Sequence, residues 1–381
     1  MFVARGGLAG AVTHGSESAK SRWSRRVRTI PMMLGATIVG LALSPLLLVG
    51  AAVVDLAKRR FRLPSVRVVL FLLQYGINDS IEIVLAPFYW LLAGFGSRLA
   101  GERSIRRHER VQRWSVAVLA RRAERLLGLR LEIDHTSAAV LTPGPVIVLC
   151  RHVNIVDASL PTLLYQRLGY RTRGVIMAEL LADPGFDLIY GRTGSVFIPR
   201  DNGPEALAMM SRLADATDPS TATVIYPEGR LFRPDRLTRS LARLVEQNPA
   251  RGERLARLRH LLPPRPGGTL ALLDTLPAAD VVVVTHTGLD RFRSFKELAA
   301  AVPLREPIRI AAWRVPRAEV SDDDLARIGW LDEQWLRADR WVAASIADPD
   351  TRPRPRLARG PCPGALRLPG WRALLTSIGL A

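Results

Sequence analysis

The chain has 381 residues, 48% of them hydrophobic, enough for a substantial core together with a membrane segment, so general disorder is excluded. Its 54 Lys and Arg against 35 Asp and Glu give a formal net charge of +19, which suits a surface lying on anionic lipid or nucleic acid. The two cysteines, Cys150 and Cys362, exclude a disulfide framework or a zinc site and permit a reducing compartment.

Residues 1–28 are small, polar and basic, ending in Arg22, Arg25, Arg26 and Arg28, and read as a disordered positive flank. From Thr29 to Val54 no residue is charged, a run longer than the roughly 20 positions that cross a bilayer and than the roughly 7–15 of a signal-peptide core. After Lys58, Arg59, Arg60 and Arg62 comes a second apolar stretch, Val68 to Gly96, interrupted by Asn78, Asp79 and Glu82. A carboxylate at the bilayer centre is costly, so this stretch is expected to pack against the first or to lie in the interface. Residues 29–100 are therefore a membrane-anchoring helical region. Two full crossings would put the Lys58–Arg67 loop opposite the following domain, against the tendency of basic loops to stay cytoplasmic. A re-entrant first segment bent at Gly40 or Pro45 would keep every basic flank on one side, and both topologies remain open.

Arg103 to Leu127 carries Val111, Trp114, Val118, Leu119 and Leu126 at helical spacing with arginines between them. Its basic face either rests on lipid headgroups or is an ordinary solvated helix face. Then strands and helices alternate: LRLEI, the strand ending in His152, a helix, RGVIMA, SVFIP, the helix EALAMMSRLADA, TVIYP, VVVVTHT and PIRIAAWRV. That order predicts an α/β fold, a mixed, mostly parallel sheet flanked by helices, over residues 101–320. An arginine-dense insertion from Arg230 to Asp280 is expected to hold two helices, with Arg233, Arg236, Arg239 and Arg243 as solvated surface. His286 is a lone histidine at a strand end and reads as structural. Ser321 is expected to cap a C-terminal helix over 321–347, with Trp330, Trp335 and Trp341 as packing residues. A Pro- and Arg-rich tail follows over 348–381.

Three strand ends carry the chemistry. The run Val146–Cys150 delivers Arg151 and His152 to its carboxyl end, and Asp157 stands five residues later at the start of a helix. A loop that folds back lets the carboxylate accept from the imidazole, fixing its tautomer and leaving the other nitrogen to take a proton. The pair is a triad without its nucleophile, so the attacking group belongs to a substrate. Taken alone, the pair reads first as a strand-edge histidine beside a helix-capping aspartate. A second strand, GSVFIPR, ends in Arg200, and a third, VIYPEGR, ends in Glu228, Gly229 and Arg230; open α/β sheets assemble sites at such carboxyl edges.

In order, His152-x4-Asp157, Gly194-x-x-Phe197-Ile198-x-Arg200 and Tyr226-Pro227-Glu228-Gly229 resemble the motif set of glycerolipid acyltransferases of the lysophosphatidic acid acyltransferase type. The resemblance covers roughly 110–315. The chain departs from it at Arg230, which directly follows Gly229 where the family places Thr or Ser and then Arg, so that Arg233 is a possible substitute. The element LLPPRPGGTLALLDTL, with Leu-x-Pro-Arg-x-x-Gly around Arg265, is closer to the lysocardiolipin and lysophospholipid acyltransferase branch.

The resemblance implies a membrane-associated enzyme that moves a fatty acyl group from acyl-CoA or acyl carrier protein to the hydroxyl of a lysophosphatidate or related lysophospholipid. It implies no metal and no cofactor beyond that co-substrate, and a domain on the cytoplasmic side of a phospholipid membrane. His152 and Asp157 would be catalytic. Gly194, Phe197, Arg200, Glu228, Gly229, Arg230 and Arg265 would bind substrate, with Arg200 foremost for a phosphate because a guanidinium offers a two-pronged hydrogen bond. A basic, membrane-tethered scaffold or nucleic-acid-binding protein would also explain the charge. Aromatic content of only 6% and the lack of a base-reading motif speak against nucleic acid as a partner.

Overall fold

The computed structural model of the protein describes residues 17–133, 144–199, 203–210, 213, 218, 220–292 and 294–347. The expected tail over 348–381, with Cys362, lies outside them. Seven strands form one sheet: β1 (Leu131–Ile133), β2 (Val146–Cys150), β3 (Arg171–Met177), β4 (Val196–Ile198), β5 (Thr221–Ile225), β6 (Asp280–Thr287) and β7 (Ile308–Val315). Their spatial order is β1-β7-β6-β2-β5-β3-β4, and every neighbouring pair is parallel except β6 with β7. This is the mixed, mostly parallel sheet that the alternating pattern predicts.

β2 explains why its sequence is an unbroken apolar run. Strand alternation sends Ile147 and Leu149 into one core, with Leu255, Leu258, Leu272 and Trp335, and Val146, Val148 and Cys150 into the other, with Leu160, Leu164 and Tyr165. The first core is roofed by the insertion and by the last described helix. That insertion holds three helices, Pro234–Gln247, Pro249–Leu255 and Pro266–Thr275, one more than expected, because Pro249 starts a new helix straight after Asn248 caps it. The last helix runs Asp324–Ala347, and its cap is Asp323, whose Oδ2 accepts from Ala326 N at 2.8 Å. Ser321 instead accepts from Asp323 N, one step earlier than the spacing suggests. Trp335 is fully buried, and Trp330 and Trp341 pack against the same core.

Among the described residues four α-helices precede the sheet: α1 (Ala19–Ala42), α2 (Ser44–Ala57), α3 (Pro64–Leu92) and α4 (Glu102–Arg122). α1 starts inside the basic flank expected to be disordered, and there is a reason: Arg25 and Arg26 both reach the buried carboxylate of Asp187, at 2.8 and 2.7 Å. α3 is long and apolar enough to cross a membrane, and α1 with α2 passes the same test as a pair bent by 68°. The break falls at Leu43, with Pro45 in the first turn of α2. Asp55 at the end of α2 is fully buried and accepts from Ser65 N and Val66 N at the start of α3, closing the connection.

The polar residues that interrupt α3 do not face outward. Asn78, Asp79 and Glu82 are buried; Asn78 donates to Ser115 of α4 at 2.8 Å and Asp79 accepts from Gly185 N at 2.8 Å. In consequence the buried stripe of α4 is Ser104, His108, Glu109, Val111, Gln112, Ser115 and Ala117, mostly polar. Of the apolar positions marked in the sequence, only Val111 is fully inside, since the surface α4 packs against is itself polar. His108 Nδ1 donates to Ser104 O, 2.8 Å away, and burial lowers its pKa to about 4, so it is neutral.

Candidate active site

β2 and β6 run parallel with Cys150 level with Val284, which brings Arg151 and His152, just beyond β2, beside His286 near the end of β6. After His152 the chain turns through Asn154, whose side chain accepts from Val156 N at 3.2 Å, into a short 3-10 helix, Ile155–Ser159. Asp157 lies in that first turn and folds back: its Oδ2 accepts from Val153 N at 2.5 Å and Asn154 N at 2.7 Å. The reciprocal cap locks the turn. It also aims Oδ1 at His152, whose Nδ1 is 2.6 Å away.

Electrostatics and burial divide the roles. Asp157 is fully buried while the His152 side chain keeps 21% exposure, so the carboxylate is sealed and the imidazole faces the surface. Burial alone would raise the Asp157 pKa, but hydrogen bonds from His152 and His286 outweigh it and hold the group well below the usual carboxylate range. An ionised acceptor at Oδ1 requires the hydrogen on Nδ1. Nε2 is then the nitrogen left to take a proton.

Tyr226 closes one side. Its ring lies against His152 with centroids 4.5 Å apart, and its hydroxyl donates to the Asp157 carbonyl at 3.3 Å. Burial pushes its phenol pKa up, so it stays protonated. Glu228 sits beneath: it is buried, Oε1 accepts from His152 N at 3.0 Å and Oε2 from Leu262 N at 2.9 Å. Complete burial outweighs those two donors and raises its pKa to about 8. Phe232 N donates to His152 O at 2.7 Å, so the backbone of His152 is held on both of its hydrogen-bonding groups.

The other residues singled out in the sequence sit as follows. Gly194 has φ +84°, and a Cβ there would stand 1.6 Å from Arg173 Nη1; only glycine lets that buried arginine donate to Thr193 O at 2.6 Å. Phe197 is buried in β4. Gly229 has φ +64° and lies under the Arg265 side chain, with a built Cβ 3.2 Å from Arg265 Cδ. Arg265 N donates to Pro227 O at 2.8 Å, so the Leu-x-Pro-Arg element docks directly on the Tyr226–Gly229 turn. Arg230 and Arg265 are exposed. Arg200 lies outside the described residues. Arg239 and Arg243 of the insertion are exposed, and Arg239 pairs with Asp235 one helical turn away. Cys150 is a buried core residue beside Tyr226, and burial raises its thiol pKa.

His286 is not the isolated histidine that the sequence suggests. It is fully buried, with Nε2 3.5 Å from Asp157 Oδ2 and 3.2 Å from the Arg151 carbonyl. Arg151, also buried, answers by donating to His286 O at 2.6 Å and to His260 O at 2.8 Å, and pairs with Asp290. Tyr226 and His286 are the site neighbours that sequence reasoning gave no role. Tyr226 was visible within the third motif, whereas the strand VVVVTHT shows nothing that ties its histidine to Asp157.

Residues 132–286 match the family model described as Acyltransferase. No curated protein matches the chain at significant similarity. Among solved structures it is similar to the crystal structure of the 1-acyl-sn-glycerophosphate (LPA) acyltransferase PlsC from Thermotoga maritima, at TM-score 0.46 and 17% identity, covering 74% of this chain and 98% of that one.

Proposed function

We propose that the chain, whose residues 132–286 match the Acyltransferase family model, transfers a fatty acyl group from a thioester, acyl-CoA or acyl carrier protein, to the free hydroxyl of lysophosphatidate or a related lysophospholipid. The observation that carries this reading is the division of labour at the carboxyl edge of β2: a sealed, ionised Asp157 behind a partly exposed His152. In the reaction, the acceptor hydroxyl loses its proton to His152 Nε2 as its oxygen attacks the thioester carbonyl. The C–S bond then breaks, the ester is complete, and His152 returns the proton to the leaving thiolate. Asp157 balances the transient imidazolium without being protonated itself. The acceptor is already the nucleophile, so no acyl-enzyme is needed.

Glu228 works from behind, holding the backbone of His152 and of Leu262. Arg230 and Arg265 are the exposed cations nearest Gly229, and with Arg200 they supply the charge for a phosphate on the acceptor. The enzyme works at a membrane. Leu46, Val49 and Val53 of α2 and Val84 and Leu91 of α3 are exposed apolar side chains that lipid would cover. The 68° bend between α1 and α2 favours a re-entrant first segment, with all basic flanks and the catalytic domain on the cytoplasmic side.

An acceptor screen tests the proposal. Thiol release from acyl-CoA should depend on added lysophospholipid, and His152→Ala should lower turnover by roughly 10²–10⁴-fold in a folded protein. Near-normal turnover of that variant would remove His152 as the base.

A further inference from the structure

Two imidazoles stand on one buried carboxylate. His152 uses Oδ1 of Asp157, and His286 approaches Oδ2 from β6. Both neighbours of His286 Nε2 are proton acceptors, the Arg151 carbonyl and the Asp157 carboxylate, so Nε2 must carry the hydrogen, shared with the carbonyl as the nearer partner. Nδ1 is buried with no hydrogen-bond partner. His286 has no exposure at all, so it cannot touch a substrate.

We propose, resting on the function proposed above, that His286 is a positioning residue for the His152–Asp157 pair. Its Nε2–H ties the second carboxylate oxygen to the backbone of Arg151, fixing the angle of the carboxylate and restraining the basicity of His152. The reciprocal bond from Arg151 to the His286 carbonyl makes the link between the ends of β2 and β6 two-stranded. A donor on Oδ2 draws negative charge away from Oδ1 and weakens the hold of Asp157 on an imidazolium at His152. Val153 N and Asn154 N also donate to Oδ2, and losing the third, imidazole donor would leave more of the carboxylate charge for Oδ1, so that His152 binds its proton more tightly. The other titratable or charged groups around the pair are Cys150 and Arg151 on and after β2, Tyr226 and Glu228 after β5, and Asp290 after β6. None of these donates a hydrogen bond to Oδ2.

The test uses two amides that cannot titrate. In His286→Gln the amide nitrogen reaches the place of Nε2 and keeps the donor; in His286→Asn it reaches only the place of Nδ1. In the full-length protein in detergent micelles, the pH dependence of His152 carbethoxylation by diethyl pyrocarbonate, read by peptide mass spectrometry, reports the His152 pKa without reference to turnover. The Asn variant should move the midpoint upward by about one pH unit, the tenfold change expected for one lost hydrogen bond to a charged group, and the Gln variant should leave it in place. Thermal melts of both variants run alongside. Equal midpoints in the two variants, whether shifted or not, or a downward shift in Asn, would overturn the proposal and leave His286 as a space-filling core residue. Acyl transfer is assayed on the same samples. A wild-type protein that shows the midpoint behaviour but no acceptor-dependent thiol release would sink the acyl-transfer reading while leaving the positioning role intact.

Discussion

The N-terminal helices and the α/β domain solve burial in opposite senses. In α3 the polar Asn78, Asp79 and Glu82 are inside while Leu72, Val84, Leu91 and Leu92 are exposed. In β2 and β6 every interior position but a few at the strand ends is Val, Ile or Leu, while Arg239 and Arg243 of the helix Pro234–Gln247 are exposed. The same physical rule, that each surface matches the medium it meets, gives the two patterns under the proposal that one region meets lipid and the other water. Where they join, polar contacts, Arg25 and Arg26 on Asp187, Asn78 on Ser115 and Asp79 on Gly185 N, stand beside a small apolar cluster of Tyr89, Val111 and Ile189.

That contrast can be broken at graded cost. The largest loss is expected in the dry core, where Trp335→Ala should destabilise the protein by about 3–5 kcal/mol because a fully buried indole leaves a cavity. Chemical denaturation would show it as a lower midpoint with unchanged slope. Next comes the polar joint. Asp187→Asn leaves two arginines facing a group that no longer answers their charge, and should cost about 3 kcal/mol, with Asp187→Glu recovering part of it. A melt indistinguishable from wild type would mean that α1 is not held through this carboxylate.

A third test concerns Glu228, the buried acid of the α/β region. Its carboxyl has a folded pKa of about 8, above the ordinary value, so the folded state binds its proton more tightly than the unfolded one. The sign follows: this contribution is complete below the ordinary glutamate range and is lost as pH rises through about 8. Wild type should therefore lose thermal stability between about pH 4.5 and 8 more steeply than Glu228→Gln, whose profile should be flatter. Parallel profiles would show that Glu228 is ionised in the fold. The smallest effect on folding is expected on the lipid side, where Leu46→Glu should change stability in detergent by no more than about 0.5 kcal/mol yet lower the membrane-bound fraction. Unchanged partitioning would deny that α2 meets lipid.

The sequence made the sheet legible because each strand is a short apolar run between turn signals, and His152 with Asp157 legible because five residues suffice to close the turn between them. What it hid was contact at a distance. His286 reads as a lone histidine because its carboxylate comes from the turn that follows another strand, brought level by the β2–β6 register. The polar stripe of α4 defied the search for apolar periodicity because its partner face, on α3, is polar as well. Glu228 shows the same limit: its motif position is visible, but that both oxygens accept backbone N–H groups, from His152 and from Leu262 in the insertion, depends on where the insertion folds.

The central claim is that His152 activates the acceptor hydroxyl directly, with no acyl group parked on the protein. The most direct measurement mixes the full-length enzyme in detergent with an equimolar acyl-CoA, first without and then with lysophosphatidate, following thiol release and the intact mass of the protein. The account predicts no burst and no mass gain without acceptor, then one thiol released for each ester formed once acceptor is added. A stoichiometric burst with an acyl-sized mass increase before acceptor is present would contradict it.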